Sequence, residues 1–382
     1  MVCPRFLRRY RQWSKRNGAR DEAFRVNSGH AYQYIIRSYQ PEFEAHPEYL
    51  CPPVNGVVSS KFRILNPELR QLVTRYAFNF FEKNPQADSV SVEPSDGGGW
   101  CEEKAGDRVI PISDHVLLLA NQVATSLAEK YTDKYVTFYA YYLHSPPPET
   151  VRAHPKVIVN IATAFIEGAY TVDQLIEGWR KMGVQQMGIY EYYSVNTWDR
   201  DLPGGSRGSN LDYLAKTIPH FHAMGARYMS AQSGDNWGIN GLGYYVAARL
   251  LWNVDDAKHL DSIIDDFLNK SFGPARGPMA KFYALINRAN QPLPSQDLVG
   301  RMYRLLDEAT KLTDDPKIQA RLDDLTLYTR YVELFRKYQA AQGDDRQKAF
   351  EQVIRHAYRM RRTMMIHAKA LYSLANCYPY IS

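Results

Sequence analysis

The sequence predicts an α/β protein: a (β/α)8 TIM-like barrel followed by a helical C-terminal region. Three observations predict it. Strand and helix patterns alternate over about 230 residues, as they do where crossover helices cover a parallel sheet. Chemistry-bearing residues recur where the predicted strands end, at His30, Glu93 and Asp96, Tyr141 and Tyr142, Glu191 and Asp235, and a barrel collects its functional groups at that one face. No G-x-G-x-x-G or P-loop occurs, so the phosphate turn of a doubly wound sheet is missing. About six strands are legible, two short of a closed barrel. Either two escape the pattern, or the chain begins inside the first helix and lacks the first strand. The texture changes at Asp256, which divides the chain into a catalytic barrel over 1–255 and a helical region over 256–382.

Residues 1–20 hold Arg5, Arg8, Arg9, Arg11, Lys15, Arg16 and Arg20 with no acid. Phe6, Tyr10 and Trp13 recur there at helical spacing, so a solvated helix with one buried side is expected. Phe24 to His30 reads as a short strand running into a loop that carries His30. Pro41 to Pro53, rich in Pro, Glu and aromatic residues, reads as an ordered loop over the strand ends. Asn66-Pro67-Glu68 starts a helix with an Asn cap, Pro in the first turn and an acid near the positive helix end. Leu69, Leu72, Val73, Tyr76, Phe80 and Phe81 mark its buried face.

Ser89 to Val92 alternates small polar residues with Val, and the strand ends at Pro94, which has no ladder donor. A helix is expected from about Asp114 to Tyr131. Tyr135 to Tyr142 is a strand ended by Pro146-Pro147-Pro148, and Val157 to Ile161 is an almost wholly apolar one, as in a sheet covered on both faces. Thr171-Val172-Asp173-Gln174 is a capping box opening a helix that stops at Gly183. Met187 to Glu191 is the next strand, Leu211 to Ala223 a helix stopped by Gly225, and Arg227 to Ala231 a strand. Helical periodicity then runs from Asp256 to about Leu374, broken at Gly273-Pro274, Pro292-Leu293-Pro294, Asp314-Asp315-Pro316 and Gly343-Asp344.

Composition bounds the function classes. Over 382 residues, 45% hydrophobic and 23% charged content is that of a soluble globular protein, and no run approaches the ~18 apolar residues of a membrane span. Aromatic content reaches 13%, with 28 Tyr and 6 Trp, side chains that can lie on sugar rings while their polar ends hydrogen-bond. Most of these are core and helix surface. The net charge of +6 is concentrated in the N-terminal stretch, which favours a solvated helix over a nucleic-acid arm, and it lacks the apolar run of a signal peptide. Cys3, Cys51, Cys101 and Cys377 form no C-x-x-C pair, so neither a zinc ribbon nor a disulfide framework is indicated. His220 and His222 alternate on a helix and no H-E-x-x-H spacing exists, so no metal and no cofactor are expected.

The stretch that organises the chain is S-V-E-P-S-D-G-G-G-W-C, residues 91–101. Two acids, a loop of three glycines able to approach a ligand, and the flat face of Trp100 follow a strand end. Glycoside hydrolysis needs one acid to protonate the leaving oxygen and one carboxylate as nucleophile or base. Candidates are Glu93 and Asp96 here, and Glu191 and Asp235 at later strand ends. Glu191 stands out because Tyr192 and Tyr193 follow it, low-polarity neighbours that favour general-acid duty. The competing reading is an acid salt-bridged to Arg200 or Arg207. Trp198 and Trp237 follow Glu191 and Asp235 at short range and complete, with His30, Trp100, Tyr142 and Tyr192, the expected sugar-contacting set.

Those ordered motifs carry a resemblance. G-H near the start, H-P-E-Y, N-P-E, S-V-x-P-S-D-G-G-G-W-C, Y-E-Y-Y and G-Y-Y-V-A-A-R-L-L-W-N resemble a bacterial family catalogued as domain of unknown function 4838, over about residues 20–255. The resemblance implies a carbohydrate-active barrel similar to those of hexosaminidases and α-glucuronidases. It supplies no catalytic pair, and its motif positions here are His30, Asp96, Trp100 and Glu191, with Glu93 and Asp235 as rivals. Family members carry further cysteines after G-G-G-x-C, whereas Glu102-Glu103-Lys104 follow here. They also have sequence before the first helix, commonly a further domain and an export signal, so this chain reads as truncated and its compartment stays open.

The leading expectation is therefore a hydrolase acting on an oligo- or polysaccharide. A non-catalytic carbohydrate-binding barrel is the alternative, and a nucleic-acid partner is not expected.

Overall fold

The computed structural model describes residues 24, 26–53, 56–287 and 294–371. Its strands are β1 (Ser89–Ser91), β2 (Lys104–Ala105), β3 (Arg108–Val109), β4 (Tyr135–Tyr142), β5 (Val157–Ile166), β6 (Gln186–Tyr192) and β7 (Tyr228–Gln232). β1, β4, β5, β6 and β7 form a five-stranded sheet in that order, and β2 and β3 make a small antiparallel hairpin. β1 pairs with β4, β4 with β5 and β5 with β6 in parallel, with Val136 opposite Val157 and Ile158 opposite Gln186. The α/β class and the helical C-terminal region are thus present.

The eight-stranded barrel is not formed by the described residues: five strands make the sheet. The run at Phe24 to His30 shows why pattern alone overcounts. Among the described residues of this run His30 makes one isolated parallel bridge with Glu93, and Asn27 meets the sheet through hydroxyls. The Asn27 amide donates to Ser89 Oγ at 2.7 Å, and Thr137 Oγ1 donates to the Asn27 carbonyl.

The chain divides into two compact units, residues 1–190 with 227–229, and residues 191–226 with 230–382. In the first, β4 is buried on both faces, as a strand under covering layers must be. Val136, Phe138 and Ala140 alternate with Thr137 and Tyr139, and successive side chains of a strand point to opposite faces. Phe138 meets the ring of Trp179 at 5.6 Å, from a helix (Val172–Lys181) whose capping box at Thr171 and Gln174 is in place. On the other face Tyr135 packs against Phe24, and the Tyr139 hydroxyl donates to Ser28 Oγ. Asn66 caps the helix Pro67–Lys83 as its sequence dictates, accepting from the amides of Glu68 and Leu69.

Pro41 to Pro53 is more ordered than a loop. Its first half is the helix Gln40–Ala45, with Pro41 tolerated in the first turn, and Pro47–Tyr49 is a 3-10 turn.

The second unit is built on helices, among them Leu211–Ala223, Gly241–Trp252, Leu260–Phe272, Arg276–Ile286, Gln296–Thr310, Pro316–Ala340 and Gly343–Arg359. Their boundaries fall at Gly273-Pro274, Asp315-Pro316 and Gly343, where glycine, proline and Asx caps interrupt the periodicity. The basic helix expected over 1–20, Cys3, Cys377, the break at Pro292 and the helical pattern beyond Leu371 lie outside the described residues.

Candidate functional site

In the first unit the predicted residues gather at the C-terminal ends of β1 and β4. Glu93 comes two residues after β1, and its carbonyl accepts from the Ala31 and Tyr32 amides at the start of the helix Tyr32–Ser38. Its side chain is fully buried. Oε2 accepts from the Tyr139 amide at 2.7 Å, serving a strand donor beyond the end of β1, and Oε1 lies 3.1 Å from His144 Nε2. His144 Nδ1 is buried with no hydrogen-bond partner among the described residues. His30 donates from Nδ1 to the Pro94 carbonyl at 2.6 Å and stands 3.9 Å from Glu93 Oε1.

Asp96 is the exposed acid of this group. Its Oδ1 accepts from the Tyr141 hydroxyl at 3.0 Å and from the Gly97 amide at 2.9 Å. Burial, reinforced by the neighbouring Asp96 carboxylate, holds the Tyr141 phenol well above its ordinary range, so it stays a donor. Tyr139, buried beneath, is pushed up to about 12 for the same first reason. Trp100 is half-buried, its ring 6.0 Å from that of His144 and 5.2 Å from Lys61 Nζ. Tyr142 and Phe165 are exposed, and both flank the Tyr141 ring, at 6.3 and 5.7 Å.

The glycine loop is tied down. Gly99 adopts φ +91°, and a Cβ there would come within 3.2 Å of Ser59 Oγ, so a side chain would be both strained and crowded. Cys51 and Cys101 form a disulfide, which corrects the expectation that the cysteines build none. The pairing joins residues 50 apart, a separation that carries no local motif. Glu103, which follows it, is buried and accepts from the amides of Ile64 and Leu65 at 2.7 and 3.1 Å.

The other predicted residues belong to the second unit. Glu191 is fully buried, with Oε1 3.2 Å from Arg207 and Oε2 accepting from the Tyr213 hydroxyl at 3.0 Å. This is the salt-bridged arrangement that the sequence offered as the competing reading. Trp198 is exposed and packs on Tyr192 at 5.4 Å; Trp237 is exposed and packs on Tyr244 at 4.9 Å. Asp235 is exposed.

Below these lies a polar network that the sequence did not suggest. Asp199 and Asp201 are each 3% exposed. Ser194 and the amides of Val195 and Asp201 bond Asp199, while Asn196, Asn236 and the His367 amide bond Asp201. Burial pushes both carboxyls up, Asp201 to about 6, with the Asp199 charge adding to the rise at Asp201.

Among the described residues no group of three or more His, Cys, Asp or Glu side chains could hold a metal ion. No described helix is long and apolar enough to cross a membrane.

The family described as "Domain of unknown function (DUF4838)" matches residues 4–284. The chain belongs to this family. Two solved structures are similar to it. One is an O-GlcNAc hydrolase variant of Thermobaculum terrenum, at 12% identity and TM-score 0.44, covering 83% of this chain and 76% of that one. The other is CpGH89 from Clostridium perfringens, in complex with its substrate GlcNAc-alpha-1,4-galactose, at 14% identity and TM-score 0.44. That likeness covers 77% of this chain and 36% of the Clostridium chain. Among curated proteins none matches.

Three residues of the first-unit cluster were not singled out from sequence. His144 sits two residues past β4, a position where barrels present functional groups, and that was a usable signal. Lys61, in Ser59-Ser60-Lys61, looks like a solvated charge and gives none. Cys51 carries no signal beyond being a cysteine.

Proposed function

We propose that this DUF4838 member is a glycoside hydrolase acting on an oligo- or polysaccharide, with its catalytic carboxylates among Asp96, Glu93, Glu191 and Asp235. Asp96 carries the reading. It is an exposed carboxylate, oriented by a phenol that remains protonated, on a loop that also presents Trp100, and exposed aromatic rings stand around its partner Tyr141. Such a group can act as nucleophile or base while a sugar lies against the rings. Glu93 is buried, with its oxygens taken by the Tyr139 amide and His144, which ranks it behind Asp96 in that set. His30, Trp100 and Tyr142, with Tyr192, Trp198 and Trp237 from the second unit, are the proposed sugar-contacting side chains, within a catalytic region over 1–255.

A specific observation favours a second reading. Glu93 and Glu191 both have their oxygens occupied by protein partners, which suits a barrel that binds glycan without cleaving it.

A panel of 4-nitrophenyl glycosides and oligosaccharides separates the two. Hydrolysis of any member that falls about a hundred- to ten-thousand-fold in Asp96→Asn supports the enzyme. Binding through Trp100 without turnover supports the second reading, and full turnover in Asp96→Asn removes Asp96 from the catalytic set.

A further inference from the structure

Lys61 is 1% exposed, an unusual place for a lysine. Its ammonium donates to the carbonyls of Ser95 and Asp96, the latter at 3.3 Å, and stands 5.2 Å over the Trp100 ring. All three contacts fall on the loop that carries Asp96. Ser59, Ser60 and Cys51 do the same. Ser59 Oγ donates to the Gly99 carbonyl at 2.7 Å, Ser60 Oγ meets Ser95 Oγ at 2.6 Å, and Cys51 is bonded to Cys101. The Cys51 amide in turn bonds the Lys61 carbonyl at 2.9 Å, so the segment is itself braced.

Burying an ammonium is costly unless its donors are used. Here they are used on two main-chain oxygens and an indole face, partners that fix position without engaging the Asp96 carboxylate.

We propose that Lys61 is a positioning residue, whose ammonium sets where the Asp96 backbone and the Trp100 ring stand. In calling Asp96 the working carboxylate this rests on the hydrolase reading; the placement of Trp100 does not. The charged groups that act on Lys61 are Asp96 on the loop and Glu93 after β1, and the Trp100 ring it faces also lies 6.0 Å from that of His144. Burial draws the Lys61 amine down to about 8, against the pull of Glu93 and Asp96. The charge over the indole is therefore lost within an accessible pH range, and with it the cation–π contact.

The test reads Trp100 fluorescence as the difference between the full chain and Trp100→Phe, from pH 6 to pH 10. A step with its midpoint near 8 is expected, and Lys61→Met should lack it. A Trp100 signal flat across the range overturns the proposal, as does an undiminished step in Lys61→Met. The flat-signal arm needs no variant at Lys61. Where a 4-nitrophenyl glycoside is cleaved, Lys61→Met should lower kcat/KM about tenfold, as expected for loss of a cation–π hold. If no glycoside is cleaved the hydrolase reading falls, and the fluorescence still decides Lys61.

Discussion

The acids that follow β1 and the acids that follow β6 are used differently. After β1, Glu93 is buried and Asp96 is exposed. At the end of β6 and in the loop beyond it, Glu191, Asp199 and Asp201 are all buried, and their oxygens take protein donors. The first loop is held by a disulfide, a lysine and three serines, none of which uses the Asp96 carboxylate. The second is held by its own carboxylates, bonded to Ser194, Asn196, Asn236 and main-chain amides. A carboxylate employed to hold its own chain is not available to a substrate. The contrast makes the first loop the better place to look for chemistry, although Glu191 was the sharper candidate in sequence.

The largest effect tests that contrast directly. Asp96→Asn should cut hydrolysis of any cleaved glycoside by about two to four orders of magnitude, with its stability within about 0.5 kcal/mol of the parent. Asp199→Asn should do the reverse, losing about 1–3 kcal/mol, because an amide N–H would face the donors of Ser194 and Val195. Urea midpoints and initial rates on both variants decide it. If Asp96→Asn unfolds as readily as Asp199→Asn, the two loops do not differ in kind.

Next in size is the covalent tie. The Cys51–Cys101 bond closes a separation of 50 residues. Its loss in a Cys51→Ser, Cys101→Ser double variant should cost about 2–4 kcal/mol, chiefly through the unfolded chain. Hydrogen exchange should rise at residues 97–101 and stay unchanged at 194–201, since only the first loop depends on the bond. Equal loosening of both would show that the disulfide acts on the chain at large.

The buried pair after β6 predicts a pH effect of opposite origin. Asp201 is raised to about 6, so the native state holds its proton more tightly than the unfolded one. Its stabilising contribution is complete below about pH 4 and is lost as the pH rises through about 6. An asparagine at this position has no proton to lose over that range. The stability of the parent relative to Asp201→Asn should therefore fall between pH 4 and pH 7, by up to about 3 kcal/mol. A difference that stays constant over that range would mean that Asp201 is ionised without penalty.

Much of the fold was legible because its signals are local. Asn66 and Thr171 accept from amides two and three residues away, so their caps are written in the sequence itself. β4 runs from Tyr135 to Tyr142 as its β-branched and aromatic run requires. Among the described residues of Phe24 to His30 only His30 bridges the sheet, and Asn27 is held by the hydroxyls of Ser89 and Thr137, contacts that no period-two pattern reveals. The site was legible only in part, for a related reason. His30, Glu93, Asp96 and Trp100 announce themselves by position after a strand. Lys61 is solvated or buried according to what tertiary structure lays over it, and Cys51 finds Cys101 only through the fold.

The smallest effect concerns how Asp96 is aimed. The Tyr141 hydroxyl donates to Oδ1 at 3.0 Å, alongside the Gly97 amide at 2.9 Å. Tyr141→Phe removes one donor and keeps the ring that packs between His30 and Phe165. A hydrogen bond to a charged group contributes about 1.5–3 kcal/mol when buried, and less where the acceptor is exposed, as here. Stability should hardly change. If Asp96 acts on substrate, kcat should drop about tenfold, because the carboxylate becomes less directed. A Tyr141→Phe variant that loses affinity for glycan at unchanged kcat would instead make the phenol a sugar contact, and would move the loop after β1 from cleaving a ligand to holding one.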